Sequence, residues 1–507
     1  PVSDTFFGKL FGKGSVLRAG GSLLYDRYGS DMVVNFDRAG SPGLATAVTQ
    51  PRNTNFSDAF RYTGSALPAL PTVAGAGFPF TPATVLGGFG SFSGVFPDLV
   101  APYSMLLNVS YARQLPSKMT VEVGYVGRLA RKTLVQMDVF QPLTQFKDPK
   151  SGQTWAEAAS ILRNYNLQGK KAGEIPNIPF FENMFGKAAN FYVPGSATQN
   201  YYHATYNEYG GSDLDALNDM DRERLPDGSC ISAPGCNTFF ALQNAGNIAW
   251  SNAGRSSYHA GQLVLRRQVS NGWGFDFNYT LSQSIDLASV AESGAGTSGG
   301  VIQDTFNPNA FRGRSDFDSR HNITANSVVE LPFGKGKPFL SNANGLVNNI
   351  LGGWQASLLW RFRSGLPLNI SSGGQYPTNY LNSALAILRP GATMPENGTG
   401  FNQSGNPSLF RATNAAASAF VQQYPGGTGT RGIIRGPQMS NFDLSLGKFF
   451  SLPVEGHRIQ VRAEAFNAFN NVNFTTASLN LANPSTFGQF TAVMAPRVMQ
   501  FALRYEF

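Results

Sequence analysis

The chain alternates between apolar and polar positions in ten separate stretches, and the last is the clearest. Across 497–507, Met499, Phe501, Leu503, Tyr505 and Phe507 fall on one face, and Val498, Gln500, Ala502, Arg504 and Glu506 fall on the other. A period of two is the signature of a strand with one oily and one mostly wet side. The same pattern runs through 16–26, 103–114, 118–128, 257–268, 273–285, 320–332, 353–364, 440–450 and 457–467. In 273–285, for example, Trp273, Phe275, Phe277, Tyr279 and Leu281 oppose Asp276, Asn278, Thr280 and Ser282. Each stretch holds about ten residues, enough for a tilted strand to cross a bilayer, whereas strands of soluble domains average about five or six.

The connections define the architecture. In chain order they hold about 75, 3, 130, 4, 35, 20, 75, 6 and 30 residues, so long and short alternate. An antiparallel up-and-down barrel in an outer membrane has this asymmetry, with long extracellular loops and short periplasmic turns. The last strand then runs inward and sets Phe507 at the periplasmic rim. Tyr25, Tyr103, Tyr111, Tyr125, Trp273, Tyr279, Trp354, Trp360 and Tyr505 lie on the apolar rows, where an interfacial girdle is expected. A soluble sandwich would fill its interior with the same residues. The loop asymmetry and the strand lengths weigh against it.

Composition agrees. Charged residues are 14%, against roughly 25% in soluble domains, while Gly (56) and Phe (40) are plentiful. No apolar run is long enough for a membrane helix, and the mean hydropathy of −0.17 is what alternating barrel strands produce. The net charge of +8 is scattered and forms no basic stripe, which argues against nucleic-acid binding. The chain begins Pro1-Val2-Ser3, with neither an initiator Met nor an apolar leader, and reads as the C-terminal part of a longer barrel protein. No fixed-period repeat suggests a propeller or solenoid.

Candidate chemistry is sparse. Cys230 and Cys236 stand close together among Gly, Ser and Pro, which reads as a disulfide and an oxidising compartment. Zinc needs about four ligands, and no His adjoins the pair. The four histidines, His203, His259, His321 and His457, form no metal-binding spacing. Arg314, Asp316, Asp318, Arg320 and His321 make a dense charged cluster before a strand. A catalytic Asp–His pair is one reading; ion pairs at the lumen rim that pin a loop to the wall are preferred. Asp213, Asp215, Asp219 and Asp221 resemble a calcium loop but lack its Gly and closing Glu, so 213–221 reads as a solvated acidic turn, with a looser calcium site left open. The segment 87–90 and the Gly334-Lys335-Gly336-Lys337 turn do not match phosphate-binding loops. Exposed aromatic stretches at 77–96 and 175–181 could contact ligand or pack on each other over the barrel mouth. No residue set points to a reaction or a cofactor; binding, gating and passage are the expected work.

Several motifs carry a family likeness. Ser257-Tyr258-His259-Ala260-Gly261-Gln262-Leu263-Val264-Leu265-Arg266-Arg267 followed by Phe277-Asn278-Tyr279-Thr280-Leu281-Ser282, Asp316-Phe317-Asp318-Ser319-Arg320-His321 leading to Leu331-Pro332-Phe333-Gly334-Lys335-Gly336, and Glu464-Ala465-Phe466-Asn467-Ala468-Phe469-Asn470 are similar to the Oar-like branch of TonB-dependent outer-membrane transporters. Phe501, Leu503, Tyr505 and Phe507 resemble the terminal signal such barrels present to the assembly machinery. The resemblance covers nearly all of 1–507. It implies a 22-stranded barrel, plugged by an N-terminal domain and driven through TonB, that imports a large or scarce solute. The resemblance further implies a carboxypeptidase-regulatory-like β-sandwich before the plug in many members; plug, N-terminal sandwich and TonB-contacting segment are not found in this chain. A passive porin-like or adhesive barrel is the alternative.

Overall fold

The computed structural model describes residues 14–29, 91–240, 246–290, 300–381 and 384–507. The segment 87–90 and most of 77–96 lie outside them. Ten strands build one continuous antiparallel wall: β1 (Ser15–Tyr25), β2 (Tyr103–Leu115), β3 (Met119–Asp138), β4 (Gly246–Ser270), β5 (Trp273–Asp286), β6 (His321–Glu330), β7 (Gln355–Arg363), β8 (Met439–Ser451), β9 (Arg458–Phe466) and β10 (Val498–Glu506). Each pairs with its chain neighbours in strict up-and-down order. Among the described residues the outer edges of β1 and β10 have no partner strand, so the wall is an open sheet.

Local chemistry sets the register. Asn271 and Gly272 both take positive φ (54° and 72°), the paired left-handed conformation that a two-residue hairpin matched to strand twist requires. The β2–β3 turn likewise holds Ser117 and Lys118 at positive φ. Cross-strand pairs then keep like with like: Leu17 opposite Tyr111, Leu265 opposite Phe277, Ala325 opposite Trp360, Leu444 opposite Ala465 and Val461 opposite Leu503. A one-residue slip would move every apolar row to the wet face.

The outward rows stay open. Leu17, Leu107, Val123, Trp273 and Leu446 are exposed, and Phe501 and Leu503 are 75% and 76% exposed. None of the buried apolar clusters draws on this band. An oily surface of this extent has no counterpart on a soluble monomer. Lys448 interrupts it near the periplasmic end, where its stem bends so that the ammonium reaches the Asn349 carbonyl (2.5 Å) and lies 4.7 Å from the Phe450 ring.

Two strands exceed their sequence-expected lengths. β3 continues to Asp138 and β4 starts at Gly246, so both rise above the bilayer span as an extended ribbon. A bulge at Lys132 (φ 57°) marks the change. Gly254 is required there, because a Cβ would fall 2.3 Å from the Thr133 carbonyl oxygen. Above the bulge Leu134, Val135, Met137, Ile248 and Trp250 are buried beneath loops. With both faces covered, strict alternation is lost.

The long connection after β3 is folded over its described residues. The connection expected to span about 130 residues occupies 139–245 and carries helices α1 (Trp155–Leu167), α2 (Pro179–Met184), α3 (Ala197–His203) and α4 (Asp213–Arg222). Thr154 and Glu157 form a capping box at α1, and Ser196 and Gln199 form another at α3.

Candidate functional site: the lumen wall and its canopy

The inward rows make a polar wall. Arg18, Asn108, Ser110, Glu122 and Gln262 line a groove of about 350 Å³ between β1 and β4. Further round, Arg266 pairs with Asp276 at 2.5 Å, Arg361 with Asp443 at 2.8 Å, Arg458 with Glu506 at 2.5 Å and Arg462 with Glu464 at 2.7 Å. These pairs hold side chains flat along the wall and present alternating charge to the lumen.

Over the mouth sits a canopy of two packed units. The first is 139–240, whose core contains Trp155, Leu162, Phe180, Phe181, Phe185, Tyr201 and Phe239. Trp155 Nε1 donates to Tyr201 Oη at 2.8 Å inside it. The aromatic stretch 175–181 is therefore core: Ile175, Ile178, Phe180 and Phe181 are buried. Cys230 and Cys236 are joined, with an S–S length of 2.05 Å, at the edge of this unit.

The acidic stretch is a helix, not a solvated turn. Its four carboxylates point to four separate partners. Asp213 is buried against Arg163 (2.9 Å), and Asp215 accepts from Tyr380 Oη (2.9 Å). Asp219 accepts from the Tyr192 hydroxyl, and Asp221 accepts backbone N–H donors of Thr238, Phe239 and Phe240. Burial pushes the Asp221 carboxyl up to about 6 against those donors, and burial also raises Asp213 despite Arg163. Among the described residues no group of three or more His, Cys, Asp or Glu is placed to hold a metal ion.

The second unit joins 364–438 to 467–497 around Ile370, Leu409, Phe410, Phe420, Ile434 and Phe487. It meets the first through Leu214 N to Tyr376 O (3.0 Å) and Tyr424 Oη to Asn164 (2.8 Å). Two arginines latch it to the wall. Arg431 is buried, pairs with Asp286 at 2.8 Å and Asp316 at 3.5 Å, and lies 5.2 Å from the Phe311 ring. Arg435 pairs with Asp318 at 2.5 Å.

The charged cluster read from sequence thus divides. Asp316 and Asp318 receive the latch arginines, whose contribution lies more than a hundred positions away and leaves no local signal. Arg314 and Arg320 are exposed and take no part in the latch. His321 faces outward, where its Nδ1 lies 2.9 Å from Tyr279 Oη with the rings stacked. His259 repeats the arrangement with Tyr125 at 2.7 Å. Tyr125 lies so close over Gly127 that a Cβ there would fall 2.6 Å from its hydroxyl. Two tyrosines assigned to the girdle therefore send their polar tips up the wall to a histidine. His457 meets Tyr505 at the other rim. No catalytic Asp–His pair forms at His321. Of the terminal residues, Phe501, Leu503, Tyr505 and Phe507 share the exposed outward row.

No curated protein matches this sequence. Among solved structures, the outer membrane transporter YddB from Escherichia coli is similar at 8% identity and a TM-score of 0.36, over 83% of this chain and 34% of that one. The FpvAI–pyocin S2 complex gives 8% and 0.30 over 81% and 27%, and the P. putida toluene transporter TodX gives 9% and 0.19 over 80% and 60%. This chain spans about a third of the length of the first of these. Likenesses at these TM-scores add no argument of their own. The family model for an outer membrane beta barrel domain matches residues 9–500. The sequential antiparallel wall, its open oily face and that match together make this chain a member of the outer membrane beta barrel domain family, located in the outer membrane.

Proposed function

We propose that the protein transports a large or scarce solute across the outer membrane and is no enzyme. The observation that carries this reading is the folded canopy, which covers a lumen wall lined by ion pairs. Canopy loops would capture the solute, and the charged inward rows would line its route. In this reading the chain is the C-terminal portion of a larger barrel, since an unpaired strand edge in lipid leaves backbone groups unsatisfied. A plug would close that barrel, and the TonB complex would supply energy through a region not found here. The outward row Phe501, Leu503, Tyr505 and Phe507 would be the signal read by the barrel assembly machinery. The nature of the solute is not written in the fold.

Planar-bilayer recording of the full-length protein in KCl tests the reading. An occluded barrel, with no steady ion current, is the expected outcome. A steady open conductance would identify a passive barrel instead.

A further inference from the structure

Beside the latch, on the outer surface of the wall, lies a cleft of about 560 Å³ lined by Gln283, Arg314, Arg320, Ser364, Gly365 and Arg435. The strand pattern puts Gln283, Arg314 and Ser364 on the outward side, and Arg320 is an exposed residue at the upper end of β6, just before the outward His321. Leu281 and Gln283 are exposed on the outward row, while Ser282, Ser284 and Asp286 behind them are buried by the canopy. Arg314 pairs in register with Ile285 of that same row. Ser364 Oγ accepts from the backbone N–H of His321, which also faces outward. The cleft thus begins just above Leu281, the last exposed apolar outward residue of β5, and beside the half-buried Ile285. That is the depth at which acyl chains give way to headgroups.

Its charge is unbalanced. Three guanidinium groups line it, and Asp318, paired with Arg435, is 1% exposed. Neither Arg314 nor Arg320 forms an ion pair among the described residues, though both are exposed. Arg435 is held rigid, donating to the carbonyls of Asp318 (2.6 Å) and Gly365 (3.1 Å). The floor is bare backbone: a Cβ on Gly365 would fall 1.8 Å from the Gly436 carbonyl oxygen. Further along the rim, Arg131 stands directly opposite Arg255, and neither forms an ion pair among the described residues. Like charges placed face to face in a sheet are destabilising unless an anion lies between them.

We propose that this cleft holds the phosphate of an anionic lipid headgroup in the outer leaflet. Arg314 and Arg320 would grip the phosphate oxygens as planar forks, Arg435 would present a fixed third charge, and Gln283 and Ser364 would donate neutral hydrogen bonds. The acyl chains would descend over the Leu281 row. This inference depends on the membrane orientation of the wall and not on the transport reading.

The test uses full-length protein in nanodiscs of phosphatidylcholine carrying a minor fraction of diphosphoryl lipid A or phosphatidylglycerol. Lipid retained per protein after washing is measured by mass spectrometry. Wild-type protein should keep an anionic lipid and release phosphatidylcholine. The Arg314→Gln/Arg320→Gln variant should keep about tenfold less or lower still, the loss expected for at least one charge-assisted hydrogen bond. Arg314→Lys/Arg320→Lys should retain an intermediate amount, and Arg128→Gln, on the inward row of β3, should match wild type. Heat-modifiable migration confirms that each variant has assembled. Equal retention in the Gln double variant would overturn the proposal. So would displacement of the lipid by millimolar inorganic phosphate, which would mark a soluble-anion site.

Discussion

The wall and the canopy bury apolar surface by opposite rules. In the wall, Leu107, Val123, Leu446 and Leu503 point away from the protein and remain exposed, because lipid is their solvent. In the canopy, Trp155, Phe181, Tyr201 and Phe487 are buried to the last few per cent, as in a water-soluble domain. One chain therefore follows two codes, and the bulge at Lys132 on β3 is where one gives way to the other. A substitution should act according to the region it enters, and that contrast can be broken experimentally.

The largest effect is expected in the canopy core. Phe181→Ala should destabilise the 139–240 unit by about 3–5 kcal/mol, the range for a fully buried aromatic. Hydrogen exchange should rise across α1–α4 while the barrel keeps its heat-modifiable migration; loss of both together would mean that the two regions fold as one. Next comes a matched pair on β2. Leu107→Arg, on the lipid row, should cost about 2–4 kcal/mol and lower assembled yield, whereas Asn108→Arg, facing the lumen, should be tolerated. Equal penalties would erase the distinction between faces.

Replacing Cys230 and Cys236 by Ser should lower canopy stability by about 2 kcal/mol, because the bridge closes only a short loop. Protease resistance of the canopy reads this directly. The smallest effect concerns pH. Asp221 has its folded pKa raised from 3.8 to about 6, so its contribution is full below the unfolded value and is lost as pH rises through 6. The canopy should be more stable at pH 5 than at pH 8 by about 1.4 kcal/mol, seen as roughly tenfold slower exchange of the Thr238 and Phe239 amides after correction for intrinsic rates. The opposite sign would mean Asp221 is paired with a cation in solution.

Legibility in the sequence follows the same division. All ten wall strands were visible, because lipid on one side and water on the other enforce a two-residue period that local reading detects. The upper halves of β3 and β4 were not, since Leu134, Val135 and Met137 are covered on both sides. The capping boxes at Thr154 and Ser196 that open α1 and α3 are short polar signals inside what reads as one long connection, and the packing of these helices depends on contacts far along the chain. Asp286 meets Arg431 and Asp215 meets Tyr380 only after folding. The charged run from Arg314 to His321 was seen as one group, yet three partners at different depths pull it apart.

The most direct measurement is nitroxide scanning along 275–280 of β5 in lipid-reconstituted full-length protein. Labels at Phe275, Phe277 and Tyr279 should be relaxed by oxygen, which partitions into the bilayer. Labels at Asp276, Asn278 and Thr280 should respond instead to a water-soluble nickel chelate. Uniform relaxation by either agent, with no two-residue alternation, would contradict the assignment of lipid to the outward rows.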